Sequence, residues 1–76
     1  MDVSGLDEEK LRLAKLIEHW SHHNEEHRKR FAETATEAER LALDGVAEEM
    51  RLAADEAGEV SKHLLKALKH LEESDG

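Results

Sequence analysis

The chain contains no proline. Proline breaks a helix from within, because it removes a backbone donor and clashes with the preceding turn. A chain without it can therefore run through long, unbroken helices. The remaining composition agrees: Ala, Leu, Glu, Lys and Arg, all strong helix formers, dominate from Asp7 to Glu73. Val, Ile and Thr, which favour strands, are scarce. The expectation is an all-α protein, a single helical domain over residues 1–76.

Two positions set the number of helices. Ser4-Gly5-Leu6-Asp7 reads as a helix start of the Ser-x-x-acid kind, with Glu8 and Glu9 suited to the positive end of a helix dipole. Ala42-Leu43-Asp44-Gly45 is the best break, with Asp44 as cap of a second helix and Glu48 and Glu49 in its first turns. Lys62, Lys66, Lys69 and His70 enrich the far end of that helix in positive charge. The spacing thus predicts helices over about 6–42 and about 44–73, with Glu72 to Gly76 frayed. At about 100° per residue, Leu13, Leu16, Ile17, Trp20, Phe31, Ala35, Ala38, Leu41 and Ala42 share one face of the first helix. Val46, Met50, Ala53, Ala54, Ala57, Val60, Ser61, Leu64, Leu68 and Leu71 share one face of the second. Two such stripes joined by a short turn make a long antiparallel hairpin. Since two helices enclose no interior, the economical completion is a homo-oligomer, a dimer forming a four-helix bundle. Gly58 lies within the second helix at about 1 kcal/mol cost relative to Ala, either tolerated or serving close packing through Ala54-x-x-x-Gly58.

Charge and length exclude several functions. Charged residues make up 39% of the chain and the net charge is −8, which disfavours binding to nucleic-acid backbones. No apolar run is long enough for a membrane span or a signal-peptide core, and with no cysteine there is neither a disulfide framework nor a thiolate site. A cytoplasmic protein is expected. Gly-rich phosphate loops, His-Glu-x-x-His and a nucleophile context around Ser4, Ser21, Ser61 or Ser74 are all missing, so no enzyme is expected. Arg28-Lys29-Arg30, between Glu25-Glu26 and Glu33, reads as a solvated face.

Six histidines in 76 residues are what composition leaves unexplained. His19, His23 and His27 are spaced by four, so neighbours in the series stack along one helix and can share an ion. His23 and His27 fall within the apolar stripe, as does Asn24. His19 lies at its edge, and His22, flanked by Glu18 and Glu26, points outward as a surface ion-pair member. A buried polar group costs a few kcal/mol unless it is hydrogen-bonded or coordinated. For Asn24 the reading is register specification, as in coiled coils. For the histidines two readings stay open, a metal site and a hydrogen-bonded structural cluster. Neutral imidazole binds Zn, Ni, Cu and Fe, and the candidate ligands are His19, His23, His27 and, across the hairpin, His63. A twofold axis bringing His23 and His27 of two chains together is the alternative donor set. The leading function is non-catalytic binding of a divalent transition metal, nickel or zinc, for handling or sensing. The alternative is an oligomerisation or adaptor bundle with polar core layers and no metal. A ferritin-like di-iron oxidase comes third, and no His here has the Glu three residues before it that such bundles use.

His19-Trp20, His23-Asn24, His27 and Phe31, followed by Val46-Ala47-Glu48-Glu49 and Ala53-Ala54, resemble a small helical-hairpin family of poorly defined function carrying a His-Trp-x-x-His-Asn-x-x-His-x-x-x-Phe signature. The similarity spans about residues 11–71. Domains of that kind occur alone or fused to a small nickel-binding β-barrel protein associated with carbon monoxide dehydrogenase maturation. The resemblance therefore implies metal handling and a metalloprotein-maturation partner. Two positions depart from it: Ala42 stands where glycine is expected, and Thr34 where an aromatic is expected.

Overall fold

A computed structural model describes residues 3–73, with side chains from Asp7 onward. It is a hairpin of two helices, α1 (Val3–Arg40) and α2 (Asp44–Glu73), about 64 Å long and only 14 × 11 Å across. The expected all-α hairpin is thus what the chain forms, and no helix among the described residues is long and apolar enough to cross a membrane. Ser4 and Gly5, expected as the lead-in to α1, lie within its first turn. Glu72 and Glu73, expected to fray, are helical, while Ser74 to Gly76 fall outside the described residues.

The turn begins earlier than the sequence suggests. α1 ends at Arg40, two residues early, because Ala42 adopts φ 58°, in the left-handed region. Its N–H donates to the Glu39 carbonyl (2.9 Å) and the Leu43 N–H to the Ala38 carbonyl (2.8 Å). This pair of bonds is the Schellman cap, a geometry that favours glycine at the left-handed position. The Leu43 carbonyl already accepts the Ala47 N–H at 2.9 Å, so Leu43 occupies the cap position of α2. Asp44, expected there, is instead the first helical residue, where its charge still suits the helix dipole.

Burial follows a stricter period than the two stripes implied. On α1 the buried or half-buried positions include Lys10, Ala14, Ile17, Ser21, Asn24, Phe31, Ala35 and Ala38; on α2 they include Ala47, Met50, Ala54, Ala57, Ser61, Leu64, Leu68 and Leu71. Spacings of three and four alternate along both helices, with Arg28 filling the α1 gap, as in a coiled-coil seam. The most deeply buried side chains are small ones, Ala35, Ala38, Ala47, Ala57 and Ser61. Small residues let the two helices approach closely, and they leave the bulky ones outside. Leu13, Leu16, Trp20, Val46 and Val60, expected in the core, flank the seam, and Trp20 remains 50% exposed. Gly58 is not required by the packing of α1 on α2: an added Cβ would meet the Arg28 Cδ at 3.6 Å, an ordinary contact.

Candidate functional site

The middle of the hairpin holds two polar systems, one inside the seam and one on its flank. In the seam, Asn24 Nδ2 donates to the Ala57 carbonyl (2.7 Å) and to Ser61 Oγ (2.9 Å). Ser61 Oγ in turn donates to the Glu25 carboxylate. Glu25 also accepts from Arg28 Nε and Arg28 Nη2 at 2.9–3.2 Å. The Arg28 and Ser61 hydrogen bonds hold the Glu25 carboxyl below the usual carboxylate range, and the Arg28 guanidinium is raised in turn by Glu25. Donor and acceptor thus meet inside the seam at the level of Asn24, which fits the register role expected of it; nearer the turn, Arg51 of α2 pairs with Glu39 of α1 on the surface. The sequence reading missed Glu25, Arg28 and Ser61 as members. The Glu25-x-x-Arg28 spacing, opposite a hydroxyl in an otherwise Ala-rich stripe, was the available signal. Arg28 is accordingly more than part of a solvated basic run.

His23 and His27, expected within the apolar stripe, are instead exposed on its flank, because the seam turned the small residues inward, and there the histidines form a ladder. His19 and His23 rings stack 6.1 Å apart at 10°, while His23 and His27 meet edge to face at 4.5 Å. Trp20 and Phe31 close the two ends against His23 and His27. The Nε2 atoms of His23 and His27 lie 3.0 Å apart. Two nitrogens at about 2.05 Å from one metal would be separated by about 2.9 Å at a right-angle bite and about 3.3 Å at a tetrahedral one, so this pair is spaced as a chelate. The same distance also suits one N–H···N hydrogen bond. The fourfold repeat, which stacks the two residues on one helical face, accounts for both.

The other predicted ligands are placed differently. His19 joins the ladder by stacking its ring face on His23, and no three His, Asp or Glu among the described residues converge to hold one ion. His63 is exposed on α2 and shares no hydrogen bond or ring contact with the pair among the described residues. His22 is exposed too, and the ion pair expected with Glu18 or Glu26 is not among those formed by the described residues. Toward α2, the pair borders an open hollow of about 380 Å³, walled by Trp20, His23, Asn24, His27, Val60 and Leu64. The two last residues come from the stripe of α2. One hairpin therefore offers two converging imidazole nitrogens and an apolar wall.

Fold and site together define a histidine-bearing helical hairpin with a small-residue seam. The chain belongs to a family of domains of unknown function, DUF8180, whose model matches residues 13–71. No curated protein and no solved structure matches it.

Proposed function

We propose that this domain binds a divalent transition metal, nickel or zinc, without catalysing a reaction, and that His23 and His27 supply the ligands. The observation that carries the proposal is the 3.0 Å separation of their Nε2 atoms, a chelate bite held by a rigid helix. The outer-edge histidine His19 and the exposed His63 are secondary candidates, requiring rotamer changes to join. Handling or sensing of metal, with a metalloprotein-maturation partner, is the context that the sequence resemblance implies.

Imidazole binds metal in its neutral form, and protons compete for the nitrogen, so affinity falls steeply below about pH 6. Binding to the folded chain alone stabilises it by about 2.7 kcal/mol at a hundredfold excess over the dissociation constant. At pH 7.5, Zn²⁺ or Ni²⁺ should raise the melting temperature of untagged, metal-stripped protein. His23→Ala and His27→Ala should each abolish that rise, and His22→Ala should retain it. Identical melting with and without metal would reject the reading. A second reading, a purely structural pairing module, is favoured by the Asn24–Ser61–Glu25 network, which specifies register with no metal. In that case the histidine pair is a hydrogen bond, and its replacement by apolar residues raises stability.

A further inference from the structure

A folded monomer of 8.6 kDa exposes about 4,700 Å² by the usual relation of surface to mass. This hairpin exposes 6064 Å². The excess, about 1,400 Å² per chain, is larger than the ~800 Å² that each partner contributes to a standard specific interface. Bulky apolar side chains contribute to it: Leu13, Leu16, Trp20 and Val60, each about half exposed, lie together beside the seam, while others such as Leu11, Leu52 and Leu65 are exposed elsewhere. We infer that a second copy of this chain covers that face, running antiparallel to the first, and that the twofold axis passes beside His23 and His27, so that two bidentate pairs complete one four-nitrogen site.

The orientation follows from the graded size of the seam residues. The positions next to the turn are Ala35, Ala38 and Ala47, Phe31 and Met50 come further along, and the α2 positions farthest from the turn are Leu64, Leu68 and Leu71. Two tapered bodies fill space evenly when the thick end of one meets the thin end of the other, so that large side chains face small ones. With turns at the same end, the thick ends would crowd and the thin ends would gape.

The axis position follows from length. Asn24 bonds Ser61, so α2, ending at Glu73, reaches the level of about residue 12 on α1 at equal rise per residue. The two-helix part then extends from that level to Arg40, and its midpoint is at about residue 26. In a fully overlapped antiparallel dimer the twofold axis crosses at that level, where each surface element meets its own copy. His23 and His27 bracket it. Four imidazoles suit the closed tetrahedral shell that a structural metal prefers, which answers the absence of a third convergent ligand within the described residues of one chain. The site half of this inference rests on the metal reading above; the interface half does not.

The chain has no cysteine, so one spin label can be placed at will. Gly45, at the turn with open space around its Cβ, suits Gly45→Cys. It lies about 21 Å along the helix from the axis, which puts the two labels of an antiparallel dimer about 42 Å apart. Pulsed dipolar spectroscopy on the full chain should read that distance, and titration with Zn²⁺ alone should saturate at one ion per two chains. A label separation under about 20 Å, or a monomer by sedimentation at micromolar concentration, overturns the inference. One ion per chain overturns the shared site. A dimer with labels about 42 Å apart that takes up no Zn²⁺ sustains the interface while rejecting the metal function, so the two failures are told apart.

Discussion

Ala42→Gly should stabilise this protein, although it replaces a better helix former by the poorest one short of proline. Ala42 holds φ 58° at the left-handed position of the Schellman turn. A Cβ in that region crowds the following carbonyl at a cost of about 1–2 kcal/mol. Glycine escapes this cost, and its extra freedom in the unfolded chain returns about 0.4–1 kcal/mol. The difference leaves a net gain of about 0.5–1 kcal/mol, and for a domain of this size each kcal/mol moves Tm by about 4–8 °C. Urea denaturation followed by helical circular dichroism, at one fixed chain concentration and without metal, measures it. Ala42→Val makes the opposite test, because a branched Cβ at positive φ is worse than alanine, so its midpoint should fall. A glycine variant less stable than the parent would mean that the turn does not hold Ala42 left-handed, and the argument for the cap would fail.

Asn24→Ala should cost about 1–3 kcal/mol, since it leaves the Ala57 carbonyl and the Ser61 hydroxyl short of a partner in the seam; denaturant midpoints decide, and an unchanged midpoint would discard the register role. Gly58→Ala should gain about 1 kcal/mol from helix propensity, because the new Cβ meets only the flexible Arg28 side chain at contact distance; a lower Tm would reveal a neighbour that the lone hairpin lacks. Glu25 is lowered in the folded chain by Arg28 and Ser61. Its contribution is therefore complete above the ordinary carboxylate value and is lost as pH falls through the lower, folded one. Glu25→Gln should flatten that acid limb of the stability curve, and a mutant that keeps the full pH dependence would assign it to other carboxylates.

The all-helical character, the position of the single break and the antiparallel hairpin were all legible in the sequence, because each depends on local chemistry: helix propensity, the missing proline, and charges suited to helix ends. The four-residue repeat of His19, His23 and His27 was legible for the same reason, being a property of one helix. What two stripes cannot specify is their rotation about their own axes. A face centred on Trp20 and a face centred on Asn24 differ by less than one residue's turn, and only contact between the helices chooses between them. The choice went to the small residues, since Ala, Ser and Asn allow close approach and let Asn24 reach the Ala57 carbonyl and Ser61. That rotation moved Trp20, Leu13 and Leu16 out to the flank and left His63 away from the ladder. Likewise, alanine at position 42, whose local preference is helical, hid a left-handed residue that only the glycine expected there by resemblance hinted at; the geometry of closing α2 onto α1 imposes it. Sequence therefore determined which elements form and which histidines can share a helical face, while tertiary packing decided which face is interior and left His23 and His27 on the flank as a pair whose Nε2 atoms lie 3.0 Å apart.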